Sequence, residues 1–213
     1  IYQTEITETA RKLRELLLMG QIISNHSLVI YFLTLPDFYF PLEEDSSKRN
    51  IFQILKERPD IGRKAIALRS LGARILDVIG KREVHILSAV PGGIISPLKD
   101  RERDTLLRET ENCLAVAKEA LTTGKELFEK NWADFEKAGD CRTYYMALTR
   151  DDAIDFYGGK IRVIDPDGRT FAEFSAQDYM QHLEERVYDW TYAKFAFLKK
   201  VGWPGGIVQV GST

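Results

Sequence analysis

The chain has 213 residues, 44% hydrophobic and 11% aromatic, which is enough to bury one large core or two small ones and too apolar for a disordered segment. Its 30 basic and 32 acidic residues leave a formal net charge of -2, which removes the electrostatic basis for binding nucleic acid or an anionic membrane. Two cysteines, Cys113 and Cys141, with no Cys-x-x-Cys spacing, exclude a disulfide framework or a thiolate metal site built within the chain and fit a reducing, cytoplasmic setting.

Ile6, Ala10, Leu13 and Leu17 recur at helical spacing, with Glu5, Glu8, Arg11, Lys12 and Glu15 on the other side, so the chain opens with an amphipathic helix. After Leu16 the polar face disappears and an apolar run continues to Leu35, carrying Ser24-Asn25-His26-Ser27 in its middle. That run is about long enough to cross a bilayer, but Gln21, Asn25 and His26 near its centre would be costly in lipid. The pattern predicts a helix buried in protein and ended by Pro36, with Asp37 at its exit. A polar quartet inside such a helix needs partners, because an unpaired buried polar group costs roughly 1–3 kcal/mol.

Phe38 to Ser47 reads as a loop and Ile51 to Leu55 as a short helix. Ile61 to Ile79 is a second amphipathic helix, closed by Gly80. Glu83 to Val90 is β-like and runs into Pro91-Gly92-Gly93, a signal for a tight turn or a close backbone approach. From Leu106 a long helix follows, in which Leu107, Leu114, Leu121, Phe128 and Phe135 lie seven residues apart, with Ala117 and Gly124 on the alternate seam. This predicts bundle packing along that stripe, with Cys113 as a small buried hydrophobe beside it.

Lys160 to Ile164 and Arg169 to Phe174 read as strands joined by Asp165-Pro166-Asp167-Gly168. Ser175 and Asp178 resemble a capping box for a helix running to about Val187. The alternating aromatic and basic residues from Trp190 to Trp203 read as packing with a solvated edge, and Val208 to Gly211 as a strand cut short. The fold class is mainly α (α+β): a long-helix bundle over about 1–150 and a small α+β region over about 151–213. The chain starts at Ile1 with helical patterning close behind, so a piece of a longer protein is expected.

The three histidines, His26, His85 and His182, match no metal-binding spacing, and His182 reads as a surface residue. His26 has two readings: a core histidine satisfied by buried backbone, or a group whose burial lets it hold or relay a proton, oriented by Asn25. The glycine pairs at 92–93, 158–159 and 205–206 lack the spacing of a dinucleotide or phosphate loop, and no nucleophile has an adjacent base.

Gly20-Gln21-Ile22-Ile23-Ser24-Asn25-His26-Ser27-Leu28, Leu35-Pro36-Asp37, Arg49-Asn50 and Ala65-Ile66-Ala67-Leu68-Arg69-Ser70-Leu71-Gly72 together resemble the large, or alpha, subunit of the cytosolic nickel-iron hydrogenases. Gly80-Lys81-Arg82-Glu83-Val84-His85 before Ala89-Val90-Pro91-Gly92-Gly93 continues the resemblance in order and spacing. So do Tyr157 to Val163, Tyr192 to Phe195 and Gly202 to Pro204. The branch most similar is the soluble one that passes electrons to a deazaflavin, a nicotinamide, polysulfide or a heterodisulfide reductase.

In that family four cysteines in two Cys-x-x-Cys motifs, one near each end, hold nickel and iron, and neither motif occurs in this chain. The resemblance therefore implies the central fragment of a subunit whose nickel-iron centre has its ligands outside these residues, with no metal held by the fragment itself. For the parent it implies reversible oxidation of dihydrogen, with electrons passed to an iron-sulfur small subunit, then to further electron-transfer subunits, in the cytoplasm, with no nucleic-acid or membrane partner. The alternative is a metal-free hydrogenase-like helical scaffold, or a subunit related to the quinone reductases. The residues implied to shape the surroundings of the metals and the proton route are Asn25 and His26 first, then Arg69, His85, Pro91, Gly92 and Gly93. Val29 stands where the family usually carries a second histidine, and Ile86, Ala196 and Gln209 replace its common Pro, Pro and Arg.

Overall fold

The computed structural model describes residues 4–40, 43–136 and 141–210, so Gly211 of the expected terminal strand and the side chain of Phe135 lie outside the described residues. The chain divides into two compact units, Ile1–Trp132 and Ala133–Thr213.

The first unit is helical. Helix α1, Glu8–Ser27, is capped by Thr7, whose hydroxyl accepts the Ala10 amide at 3.2 Å. It runs straight into a π-helical segment, Leu28–Thr34, and then into α2, Leu35–Tyr39, so Glu8–Tyr39 is one 32-residue rod. Pro36 does not end the helix as expected. It sits in the first turn of α2, where a missing amide is tolerated, and the wider π turn before it relieves the clash a proline ring makes with the carbonyl four residues back. By length and composition this rod is apolar enough to cross a membrane.

Asn50 caps α3, Ile51–Glu57, by accepting the amides of Phe52 and Gln53. Helix α4, Pro59–Gly80, follows after Arg58. Its end is not made by glycine flexibility, since the left-handed residue is Lys81, at φ 61°. Gly80 serves closeness instead: a Cβ there would lie 2.5 Å from Ile86 Cδ1 and displace that side chain.

Helix α4 packs antiparallel to α1, with Gly72 beside Ser24, Ile75 beside Gly20 and Gly80 beside Leu17. The β-like stretch expected up to Val90 shrinks to a minimal hairpin, β1 Ala89–Val90 and β2 Gly93–Ile94, around the Pro91-Gly92 turn. Helix α5, Asp100–Lys130, returns antiparallel to α4 through the Arg74–Glu109 ion pair at 3.1 Å, the Cys113 thiol on the Ala67 carbonyl at 3.8 Å and the Lys64–Glu119 ion pair.

The expected stripe on α5 is displaced by one residue. The side chains that meet the body of the unit are Leu106, Cys113, Val116, Ala120 and Leu127, so Cys113 does pack as a small apolar group. Leu107, Leu114, Leu121 and Phe128, one position further on and about 100° round the helix, are 56, 54, 62 and 47% exposed.

The second unit is a sheet domain that begins at Ala133, within the short helix α6, Trp132–Phe135. Its central strand, β3 Tyr144–Arg150, was not foreseen and groups with the sheet. It pairs with β5, Lys160–Ile164, on one edge, and on the other with β4, Ala153–Ile154, and in parallel with β9, Val208–Val210. The expected hairpin is present as β5 and β6, Thr170–Phe174, with a register shift at Val163/Ile164. The helix expected to reach Val187 stops at α7, Tyr179–His182. Leu183–Tyr188 is strand β7, held as a ribbon by antiparallel pairing with β8, Thr191–Leu198. His182 is not a free surface residue: its ring stacks on Phe174 at 3.9 Å. Val163, Phe174 and Leu198 form the core of this unit.

Candidate functional site

The polar quartet of α1 is split by helix geometry. Ser24 and Ser27, one turn apart, are buried, and Ser27 Oγ donates to the Ile23 carbonyl at 2.6 Å. Asn25 and His26 point the other way and are exposed, so the buried apolar setting expected for His26 is absent. Asn25 Oδ1 accepts from Gln21 Nε2 at 2.9 Å. His26 stands on the wall of an apolar groove of about 550 Å³ between the α1–π–α2 rod and α5.

The seam beneath Ser24 is built from missing side chains. Gly20 and Ser24 on α1 meet Gly72 on α4, where a Cβ would come within 2.6 Å of the Gly20 carbonyl oxygen and 2.7 Å of the Ser24 amide nitrogen. Arg69, one turn before Gly72, reaches the Ser24 carbonyl at 3.5 Å. Tyr31 is buried one turn beyond Ser27, where burial first and the Glu119 carboxylate second push its phenol above the usual range.

The Pro91-Gly92-Gly93 turn lies against the other end of α1. Arg14 donates through one terminal nitrogen to the carbonyls of Val90, at 2.8 Å, and Gly93, at 3.0 Å, clamping the turn to the helix. Gly92 is at φ 89°, a conformation that strains any residue with a Cβ. Ser88 is fully buried beside the turn, and its Oγ and Arg14 Nε have no hydrogen bond among the described residues. Arg14 and Asn25 are eleven residues apart on one helix, roughly 16 Å.

The residues singled out by sequence thus fall into three places. Asn25 and His26 lie on the exposed side of α1, and Arg69 reaches the backbone of the neighbouring Ser24 from α4. Pro91, Gly92 and Gly93 sit at the other end of α1, and His85 lies exposed in the loop after α4 at φ 59°. Arg14 was missed because it reads as one more charge on a solvated face. Gly72 could have been found from Gly20, Ser24 and Ser27, a row of small residues at close-packing intervals that demands an equally small partner.

Among the described residues no group of three or more His, Cys, Asp or Glu side chains is placed to hold a metal. Burial, and then the nearby Glu109, push the Cys113 thiol up, keeping it protonated and poor as a ligand, and Cys141 is exposed. The donor set present does not fit a nickel-iron centre.

The helical rod with its π segment, the glycine seam and the small mixed sheet have counterparts in a solved hydrogenase. The fold superposes on the NAD+-reducing [NiFe]-hydrogenase in its H2-reduced state with a TM-score of 0.90 and 31% identity, over 97% of this chain and 46% of that one. Among curated proteins, the chain is 36% identical over 207 residues to a subunit of the F420-non-reducing hydrogenase vhu of Methanocaldococcus jannaschii, covering 97% of this chain and 50% of that protein. It is 30% identical to the beta subunit of the NAD-reducing hydrogenase HoxS of Cupriavidus necator, covering 97% of this chain and 44% of that protein. No family model matches. The chain is a homologue of hydrogenase subunits and spans about half the length of the curated relatives it matches.

Proposed function

We propose that these residues are the central part of a nickel-iron hydrogenase large subunit. In the complete protein, dihydrogen would be oxidised reversibly to two protons and two electrons, and the electrons would pass to an iron-sulfur small subunit. The observation that carries this reading is agreement, at 31% identity and over 97% of the chain, in both sequence and fold with a solved hydrogenase. The metal ligands lie outside the chain in this reading.

Asn25 and His26 are the residues assigned to the surroundings of the metals and the proton route, with Arg69 holding the helix crossing behind them. The complete enzyme is read as cytoplasmic. The polar Gln21, Asn25 and His26 in the rod support this, since each would be costly in lipid.

The test is Asn25→Ala and His26→Ala in the complete enzyme: hydrogen turnover falls while nickel content stays normal. Unchanged turnover rules out the role. A metal-free scaffold is the second reading, favoured by Val29 where the family usually carries a histidine. Coding sequence with a Cys-x-x-Cys on each side supports the enzyme, and the lack of either motif leaves the scaffold.

A further inference from the structure

We propose that the groove between the α1–π–α2 rod and α5 is the seat of an apolar helix from the half of the full-length chain that lies beyond these residues; this rests on the reading of the chain as part of a longer subunit. Tyr31, Leu35 and Leu68 contribute to the groove, with His26 and Ile30 from the rod and Gly124 from α5.

Three observations shape the occupant. The α5 wall is cut low at three points: Ala117, Ala120 and Gly124 line the groove beside the larger Leu121, Leu127 and Phe128, and a Cβ on Gly124 would meet nothing within 4 Å. Large side chains from a neighbour can therefore approach the α5 backbone. The apolar surface also extends far past the groove along the exposed stripe, and Leu107 to Phe128 covers roughly 32 Å of helix axis, the length of an apposed helix and too long for a small ligand. Val29, Ile30 and Leu33 are exposed on the π segment as well. An apolar surface of this extent marks a contact site.

The same polypeptide is the occupant that the relatives argue for. The solved chain keeps this fold at a TM-score of 0.90, yet these residues amount to 46% of it. The curated relatives are likewise about twice as long. Half of such a chain remains to cover faces that this half leaves open.

The experiment measures thiol labelling of Gly124→Cys, with Cys113→Ala and Cys141→Ser in the background, in the 213-residue chain and in the full-length chain. The proposal expects rapid labelling in the short chain and labelling slower on the order of a hundredfold in the long one, where the seat must first open. Equal rates in a folded full-length chain overturn it. Slow labelling in the short chain together with a dimeric mass overturns it in favour of a second copy. A native protein of 24.4 kDa with no longer form defeats the fragment reading itself, a result separate from equal labelling. Gly124→Trp with Gly124→Ala as control provides a second readout. Tryptophan lowers the unfolding midpoint only in the full-length chain, while alanine raises it in the short one, and a tryptophan effect of the same sign in both chains counts against the seat.

Discussion

The carbonyl oxygen of Gly20 stands 2.6 Å from the point where a Cβ on Gly72 would lie, so these two helices touch backbone to backbone. Gly72→Ala forces the crossing open, and the overpacking costs about 1–3 kcal/mol despite alanine's better helix propensity. Gly124→Ala, with nothing to strike, gains about 0.5–1 kcal/mol in the 213-residue chain. Urea unfolding of both variants should move the midpoints in opposite directions at unchanged slope.

Arg14 is expected to matter more than its place on a charged helix face implies. Arg14→Met removes two charge-assisted hydrogen bonds to the Val90 and Gly93 carbonyls and costs about 1.5–3 kcal/mol. The loss should be local first. Amide hydrogen exchange in a peptide spanning residues 86–98 quickens, while exchange in α4 follows only the global change in stability.

Asn25→Ala and His26→Ala should alter stability by no more than about 0.5 kcal/mol, because both residues are exposed. Thermal or urea unfolding of the variants checks this. It also makes any loss of turnover in the complete enzyme attributable to function.

Asp155 gives the sheet domain a pH dependence of known sign. Its carboxylate accepts the amides of Tyr157 and Gly158, which hold its pKa below the ordinary value, and Arg150 Nε lies 3.0 Å away. A group with a depressed folded pKa contributes stability that is full above the unfolded value, about 3.9, and is lost as pH falls through the folded one. Urea midpoints measured from pH 7 down to pH 3 should therefore fall less steeply for Asp155→Asn than for the unaltered chain.

Much of the helical unit was legible because its signals are local. The Ile61 to Ile79 periodicity gave α4, and Asp165-Pro166-Asp167-Gly168 gave the β5–β6 turn. What failed depended on partners. On α5 both Leu106–Cys113–Ala120–Leu127 and the stripe one residue later repeat every seven positions, and only the position of α4 decides which is buried. Leu183 to Tyr188 carries Glu184, Glu185 and Arg186 in succession, a polar run that continues a helix as well as it fills a ribbon, until β8 is there to pair with it. At the candidate site the residue types were readable, but the split of Ser24 and Ser27 from Asn25 and His26 followed from the direction of α4.

The two adjacent stripes make α5 apolar over an unusually wide arc, with one stripe spent on the unit's interior and the other open to water. A chain prepared by itself should consequently behave as a sticky molecule. It should bind reporter dyes for apolar surface while fully folded, and it should lose monodispersity as sulfate is added, since excluded salts strengthen the drive to bury such a face.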